Sequence, residues 1–274
     1  MAAEPSVSRL RWAAKKSARA GLAALTAAPA LARGGVRVLT YHRFEAGRRT
    51  PFSLAPAAFE RQMAALARSG AAVSLADLAA FVHGGRGLPR NAVLVTIDDG
   101  DPSVLDAAVP VLQRHGLPAV LFTIAGAPDG YRVMSDAQLR ETAASGIEIG
   151  SHSLTHRSMA RLPRTEAAHE ARASRERLED LLGRPVTAFA YPFGTRLDYS
   201  AETTEVLREA GYRLAFTSQH GAVRPGLDPL RLPRVKVEAG DPDWLFPLLR
   251  RGALDAWALV DAAGARLQAA RAPA

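Results

Sequence analysis

The sequence contains no cysteine in its 274 residues. Disulfide bonds and thiolate-held metals are therefore excluded, and any bound metal would need histidine, aspartate or glutamate ligands. The chain also lacks a run that approaches the ~20 consecutive apolar residues of a membrane-spanning helix. It has 48% hydrophobic and 23% charged residues, a balance that is typical of a globular protein and excludes wholesale disorder.

Acidic residues are almost absent from the first 37 residues, where seven basic residues accompany Glu4. This segment carries +6 of the chain's net charge of +8, so the remaining 237 residues carry only +2. The basic character therefore belongs to the N-terminal segment and not to the body of the protein. A nucleic-acid partner is not expected, because the body is nearly neutral and contains no nucleic-acid-reading motif.

Residues 1–35 are predicted to be a basic, alanine-rich leader, and residues 36–274 a single folded domain. The leader has three interpretations. Its triplet at Ala30–Ala32 resembles the cleavage site of a signal peptide; its basic residues would suit a helix that contacts an anionic membrane surface; or it is a plain alanine-rich extension. The first two favour an extracytoplasmic or membrane-associated protein, with a cytoplasmic one as the alternative.

From Val36 onward, short apolar runs alternate with amphipathic stretches. Strands are predicted over 36–42, 92–97, 119–124, 147–150, 187–191, 214–217 and 230–237, and helices over 56–70, 103–115, 135–145, 165–182 and 201–210. The charges of the helix over 165–182, Glu170 among them, are predicted to form a solvated face. The alternation of strand and helix predicts an α/β fold with a largely parallel sheet, closed or nearly closed into a barrel.

Polar and reactive residues follow the ends of these predicted strands. They are His42, Asp98, Asp99, His152, the Tyr191-Pro192-Phe193 segment and His220. The carboxyl ends of parallel strands and their loops converge on one face of the sheet. The sequence therefore predicts a functional site on that face.

His152 and His156 are spaced four residues apart, which aims both imidazoles at one point if the segment is a helical turn or a tight loop. A carboxylate would complete a set of three ligands with open positions, as catalytic zinc sites use. The adjacent Asp98 and Asp99 point in opposite directions on an extended chain, so one is expected on the metal and the other toward a substrate water. The competing interpretation is two surface histidines on a helix.

The segment Val95-Thr96-Ile97-Asp98-Asp99-Gly100, with Gly150 to His156 downstream, resembles the polysaccharide deacetylases, carbohydrate esterase family 4. Leu39-Thr40-Tyr41-His42 is similar to the opening motif of the branch that acts on biofilm exopolysaccharides. The resemblance runs from about Val36 to Val237. It implies an α/β fold of the polysaccharide deacetylase type, a distorted (β/α) barrel with about seven repeats, and a catalytic domain over residues 36–274.

The resemblance also implies an activity and a site. Asp98 would be the general base, and Asp99, His152 and His156 would hold a divalent metal, zinc first, with cobalt, nickel or manganese as alternatives. Predicted substrate and oxyanion contacts are Tyr191, Pro192, Phe193, whose backbone N–H would help hold the oxyanion, and Arg234. The implied enzyme is a hydrolase of amide bonds that removes N-acetyl groups from the amino sugars of a carbohydrate polymer or oligosaccharide, such as a poly-N-acetylhexosamine exopolysaccharide, a chitin-like polymer or peptidoglycan.

Two departures from the family pattern concern catalytic side chains. The arginine that orients the base in many relatives is Ala190 here, and the late Leu-x-His motif that supplies the acid is replaced by Leu232-Pro233-Arg234. Candidate acids are His42, His220, or Asp98 after it has taken a proton. Arg234 would orient Asp98 or contact a sugar.

These departures leave other functions open. One alternative is a catalytically weakened relative that binds or scaffolds carbohydrate. Another is a metal hydrolase of small molecules, which a closed pocket would favour over an open groove.

Overall fold

The protein is described by a computed structural model over residues 9–26, 34–47, 50–85 and 87–269. Its main sheet has seven parallel strands: β1 (Arg37–Tyr41), β4 (Val93–Ile97), β5 (Ala119–Thr123), β6 (Glu148–Ser151), β7 (Ala188–Ala190), β8 (Leu214–Phe216) and β9 (Val235–Lys236). Their order across the sheet is β8-β7-β6-β5-β4-β1-β9. A two-stranded sheet pairs β2 (Arg43–Phe44) with β3 (Ser53–Leu54).

Helices surround this sheet. They are α1 (Arg9–Thr26), α2 (Pro56–Ser69), α3 (Leu75–Val82), α4 (Val109–Arg114) after a π-helical turn (Val104–Ala108), α5 (Asp136–Ala144), α6 (Arg164–Leu182) after a 3₁₀ turn (Met159–Arg161), α7 (Ala201–Glu209), α8 (Leu245–Arg250) and α9 (Trp257–Ala269). Serines that form capping boxes begin α3, α5 and α7. Left-handed glycines end α2 and α6.

The segment after β8 closes the sheet on itself. Leu232 bridges to Phe216 of β8, and Val235 pairs with Leu39 of β1, so this segment lies between the two. The predicted parallel sheet and distorted barrel are confirmed. The strand predicted over 230–237 is reduced to the bridge and two residues, because Pro233 has no N–H to donate to a strand ladder.

Alternate residues of the strands build two cores. One cluster takes Val38, Leu94, Phe122, Phe216 and their neighbours from all sides of the sheet, and it fills the barrel interior. The other takes the intervening positions and packs them against the helices. The interior is a packed core and not a pore. A functional site must therefore lie at an end of the barrel.

Helix α1, which falls in the predicted leader, lies against the body. Its Arg19 side chain is 0% exposed and donates to both carboxylate oxygens of Asp241 and to the backbone carbonyl of Lys236. Lys15 and Lys16 form ion pairs with Glu238 at 2.8 and 3.1 Å. The division at residue 35 and the localisation stay predictions, and the Ala30–Ala32 triplet lies outside the described residues. Among the described helices, none combines the length and apolarity that crossing a membrane requires.

Candidate active site

The carboxyl ends of the strands bring the predicted metal ligands together. Asp99 follows β4, and His152 and His156 follow β6. One ligand atom from each residue lies within 4.8 Å of the other two. The Nε2 atoms of the two histidines lie 3.5 and 3.6 Å from the same Asp99 oxygen. Ligands of one tetrahedral zinc stand about 3.4 Å apart, given bonds of about 2.1 Å, so the spacing and the donor types fit a divalent metal.

Hydrogen bonds orient both imidazoles toward Asp99. Nδ1 of His152 donates to the backbone carbonyl of Ala190 at 2.7 Å, and Nδ1 of His156 lies 2.7 Å from the Tyr131 hydroxyl. Burial is the main cause that lowers the pKa of His156 to about 4, with His152 adding to the effect. A neutral imidazole with its second nitrogen hydrogen-bonded is the form that binds metals.

Asp98 is buried and bonded to Arg234. The two guanidinium nitrogens Nη1 and Nη2 donate to the two carboxylate oxygens at 2.8 and 2.7 Å. Burial acts to raise the pKa of Asp98, but the charges of Arg234 and His152 outweigh it and hold this pKa below its ordinary value. The carboxylate is therefore charged and held in one orientation.

Arg234 is held against Asp98 by buried hydrogen bonds. Its side chain is 1% exposed, and it also donates to the Thr217 carbonyl at 2.9 Å. The predicted contact of Arg234 with a sugar is therefore wrong, because its hydrogen bonds and burial keep it behind Asp98. Of the two roles considered from the sequence, the structure supports the orientation of Asp98.

Glu170 of α6 supports the loop that carries both histidines. Its carboxylate accepts the backbone N–H groups of Leu154 and Thr155 at 2.9 Å each, and also the Thr155 hydroxyl. Glu170 is 4% exposed, so the prediction that it belongs to a solvated face is wrong. Its neighbours Ala167 and Ala171 are also buried, a helical spacing that could have identified this residue from the sequence.

Backbone strain is concentrated at this end of the barrel. Five non-glycine residues in the described part of the chain have positive φ angles, and all but Asn91 belong to the site loops. The four residues in the site loops are Asp99, Ser153, His156 and Phe193, with φ between 60° and 74°. Such conformations each cost about 1–3 kcal/mol and gather where a function requires them.

Two further predicted residues border the site. His42, at the end of β1, is partly exposed, and its ring contacts Phe52 with centroids 4.7 Å apart. Burial lowers the pKa of His42, while the nearby Asp99 and Asp98 oppose that shift. Phe193, which follows Pro192 after β7, is 54% exposed and its ring lies 4.8 Å from that of His156.

The structure corrects the assignments of His220 and Tyr191. The His220 side chain is 0% exposed, and its Nδ1 lies 2.8 Å from Asp261 of α9. The chain turns outward after β8, so His220 is held between the barrel and α9 and not beside Asp98. The Tyr191 ring belongs to the core between barrel and helices, and its hydroxyl donates to the Leu230 carbonyl at 3.1 Å. Neither side chain is placed to contact a substrate.

Comparisons with known proteins agree with this geometry. Residues 85–215 match the model of a family described as polysaccharide deacetylase. The solved structure of IcaB from Ammonifex degensii superposes with a TM-score of 0.69 at 31% identity, over 81% of this chain and 97% of that one. The chain belongs to the polysaccharide deacetylase family. The family predicted from the motifs is therefore confirmed.

Two other relatives differ more in sequence. The Streptococcus pyogenes deacetylase PplD superposes with a TM-score of 0.72 over 80% of this chain and 98% of that one; at 20% identity it supports the fold alone. The poly-beta-1,6-N-acetyl-D-glucosamine N-deacetylase of Staphylococcus epidermidis is 26% identical over 163 residues, which cover 54% of this chain and 55% of the relative. The chain spans about half the length of the curated relatives it matches.

Proposed function

We propose that this polysaccharide deacetylase is a zinc-dependent hydrolase that removes N-acetyl groups from the amino sugars of a polymer. The observation that carries the proposal is the convergence of Asp99, His152 and His156 beside Asp98, which Arg234 orients. Two imidazoles and one carboxylate are a zinc donor set of the catalytic type, which leaves a position open. Cobalt, nickel and manganese are alternatives for the same donors.

The residues of this chain divide the reaction among themselves. Asp99, His152 and His156 would hold a divalent metal, and this metal would supply Lewis acidity toward the acetamide carbonyl. Asp98 accepts the proton of the attacking water, since each of its oxygens keeps a second lone pair beside the bond from Arg234. The backbone N–H of Phe193 stabilises the negative charge on the carbonyl oxygen. The leaving amine receives its proton from His42 or from Asp98.

Metal removal tests the proposed hydrolase. We expect metal-stripped protein to release no acetate from N-acetylglucosamine oligomers, and zinc to restore the release. His152→Ala should stay inactive with zinc present, because a ligand and its hydrogen bond to Ala190 are lost. His169→Ala, which changes an exposed histidine of α6, is the matched control. Tight zinc binding without acetate release from any substrate would favour the carbohydrate-binding alternative.

Exposed aromatic rings on two sides of the site support a polymer as the substrate. Phe52 is 40% exposed beside His42, and Phe193 is 54% exposed beside His156. These rings are near the ends of β1 and β7, which lie on opposite sides of the barrel. A sugar chain that crosses the mouth could rest on both. The name of the staphylococcal relative points to a poly-β-1,6-N-acetylglucosamine as the first polymer to test.

Truncation of one ring tests this substrate class. Phe52→Ala should raise KM for a long oligomer about 2- to 12-fold and leave KM for the shortest active one nearly unchanged. This range corresponds to about 0.5–1.5 kcal/mol for an aromatic contact. Leu227→Ala is the matched control, because Leu227 is equally exposed at 40%. Equal changes for long and short substrates would contradict a chain that extends over Phe52.

A further inference from the structure

The loop after β5 joins the two halves of the candidate metal site. This loop, residues 124–134, lies between the ends of β4 and β6 because β5 lies between those strands. The Gly126 N–H donates to the Leu154 carbonyl at 2.8 Å, in the loop that carries both histidines. The Met134 N–H donates to the Gly100 carbonyl at 2.8 Å, next to Asp99. The β5 loop therefore contacts the ligand segments on both of its sides.

Tyr131 extends from this loop to one ligand. Its hydroxyl lies 2.7 Å from Nδ1 of His156, and the two ring centroids are 4.8 Å apart. Nε2 of His156 faces Asp99 and the candidate metal position, so with a metal bound at Nε2 it is Nδ1 that carries the hydrogen and donates to the phenol oxygen. The carbonyl oxygen of Ala190 accepts a hydrogen bond from Nδ1 of His152 in the same way. Each imidazole is thus held by one oxygen atom at its Nδ1.

An ion pair fixes the position of the β5 loop next to Tyr131. Arg132 donates to both oxygens of Asp101, at 3.1 and 2.9 Å, and to Glu45 at 2.8 Å. The Asp101 side chain is only 8% exposed and also accepts the Ser103 N–H at 2.9 Å. Asp101 is buried and is also hydrogen-bonded to Ser103, so its carboxylate has a fixed position. It therefore fixes the position of Arg132, whose side chain is otherwise exposed.

We propose that Tyr131 is a positioning residue for the metal ligand His156, and that the Asp101–Arg132 pair holds Tyr131 in place. In the metal-bound form, the phenol oxygen would accept the Nδ1–H hydrogen bond and hold the ring so that the lone pair of Nε2 is directed at the metal position. Hydrogen-bond partners of this kind set the tautomer and orientation of metal-bound histidines. This role rests on the proposed function, since it concerns the same metal site, but it acts on metal affinity and can be measured without any substrate.

The experiment compares zinc affinity in chelator competition. Tyr131→Phe removes only the hydroxyl, and we expect affinity to fall about 10- to 100-fold, the usual cost of losing such a partner. In zinc-loaded protein, the Nδ1–H hydrogen of His156 should exchange slowly with water in the wild type and measurably faster in Tyr131→Phe. Tyr199→Phe, which changes a partly buried tyrosine that packs on Tyr191, should leave the zinc affinity and the exchange of the His156 Nδ1–H unchanged.

A second variant tests the anchor. Arg132→Gln should weaken zinc binding less than Tyr131→Phe does, and the double variant should bind as Tyr131→Phe alone, because both changes act through one contact. Arg164→Gln, which loses an exposed ion pair with Glu209, is the control and should leave the zinc affinity unchanged.

The outcomes separate this role from the proposed function. Unchanged zinc affinity in Tyr131→Phe, with the unfolding midpoint preserved, overturns the role of Tyr131. Unchanged affinity in Arg132→Gln overturns the role of the ion pair. A wild-type protein that binds no zinc overturns both, and the function with them. If the affinities differ as expected but no variant or wild type releases acetate, the proposed hydrolysis fails and the role of Tyr131 stands.

Discussion

Asp98→Asn should lower kcat for acetate release by about 10²- to 10⁴-fold, the usual contribution of a general base. An amide cannot accept the water proton, although it occupies the same volume and can still accept one hydrogen bond from Arg234. Zinc affinity should change little, because Asp99, His152 and His156 are the proposed ligands. Kinetics and chelator competition on the same preparations would separate the two effects.

Stability must be followed in the same variant. Removing one partner of a buried ion pair costs about 3–5 kcal/mol, and the Arg234 charge would lose its carboxylate. Rates should therefore be compared at a temperature well below the thermal unfolding midpoint of the variant. Asp106→Asn, an exposed aspartate of the π-helical turn, is the matched control. Near-normal turnover in Asp98→Asn would show that another group is the base.

Arg19→Gln should lower the free energy of unfolding by about 3 kcal/mol, at the lower end of the range for breaking a buried ion pair. Arg19 is fully buried against Asp241 and Glu238, and both carboxylates would lose its charge. Lys16 still pairs with each of them, at 3.1 and 2.9 Å, which limits the loss. Urea unfolding at neutral pH measures the change.

The state of Glu238 supports this expectation. Burial acts to raise the pKa of Glu238, but Arg19, Lys16 and Lys15 outweigh it and lower this pKa to about 2. The carboxylate is therefore charged at neutral pH and depends on its cationic partners. Arg61→Gln is the control, because Arg61 and Asp243 are 57% and 60% exposed, and such surface pairs contribute about 0–1 kcal/mol. Equal losses in both variants would mean that α1 contributes no more than a surface contact.

Much of the fold could be predicted because strand and helix periods are local properties of the sequence. The strands from β1 to β8 that were predicted from apolar runs agree with the structure to within one or two residues. The unpredicted α3 does carry a local signal, since Ser74 and Asp77 form its capping box. The strands β2 and β3 have two residues each, which is too short for any period to be detected.

The site residues that directly follow predicted strands could be predicted from the sequence. Those whose position depends on which residue of a segment points into the barrel could not. Asp99, His152 and His156 follow buried strands, so their convergence follows from the parallel order. Arg234 pairs with Asp98 across the closure of the barrel, and no local pattern indicates which residue of that segment points inward. His220 shows the opposite error, since a residue four positions beyond the end of β8 can turn away from the barrel.

The packed interior of the barrel also limits the routes by which small molecules can reach or leave the site. Phe122 and Phe216 fill the axis with their rings 5.3 Å apart, and a Cβ on Gly150 would approach the Phe122 ring to 2.5 Å. Even a molecule as small as acetate has no passage along the axis. Under the proposed reaction, the acetate must leave through the opening that the polymer covers. Release of acetate and movement of the polymer then take place one after the other at the same opening.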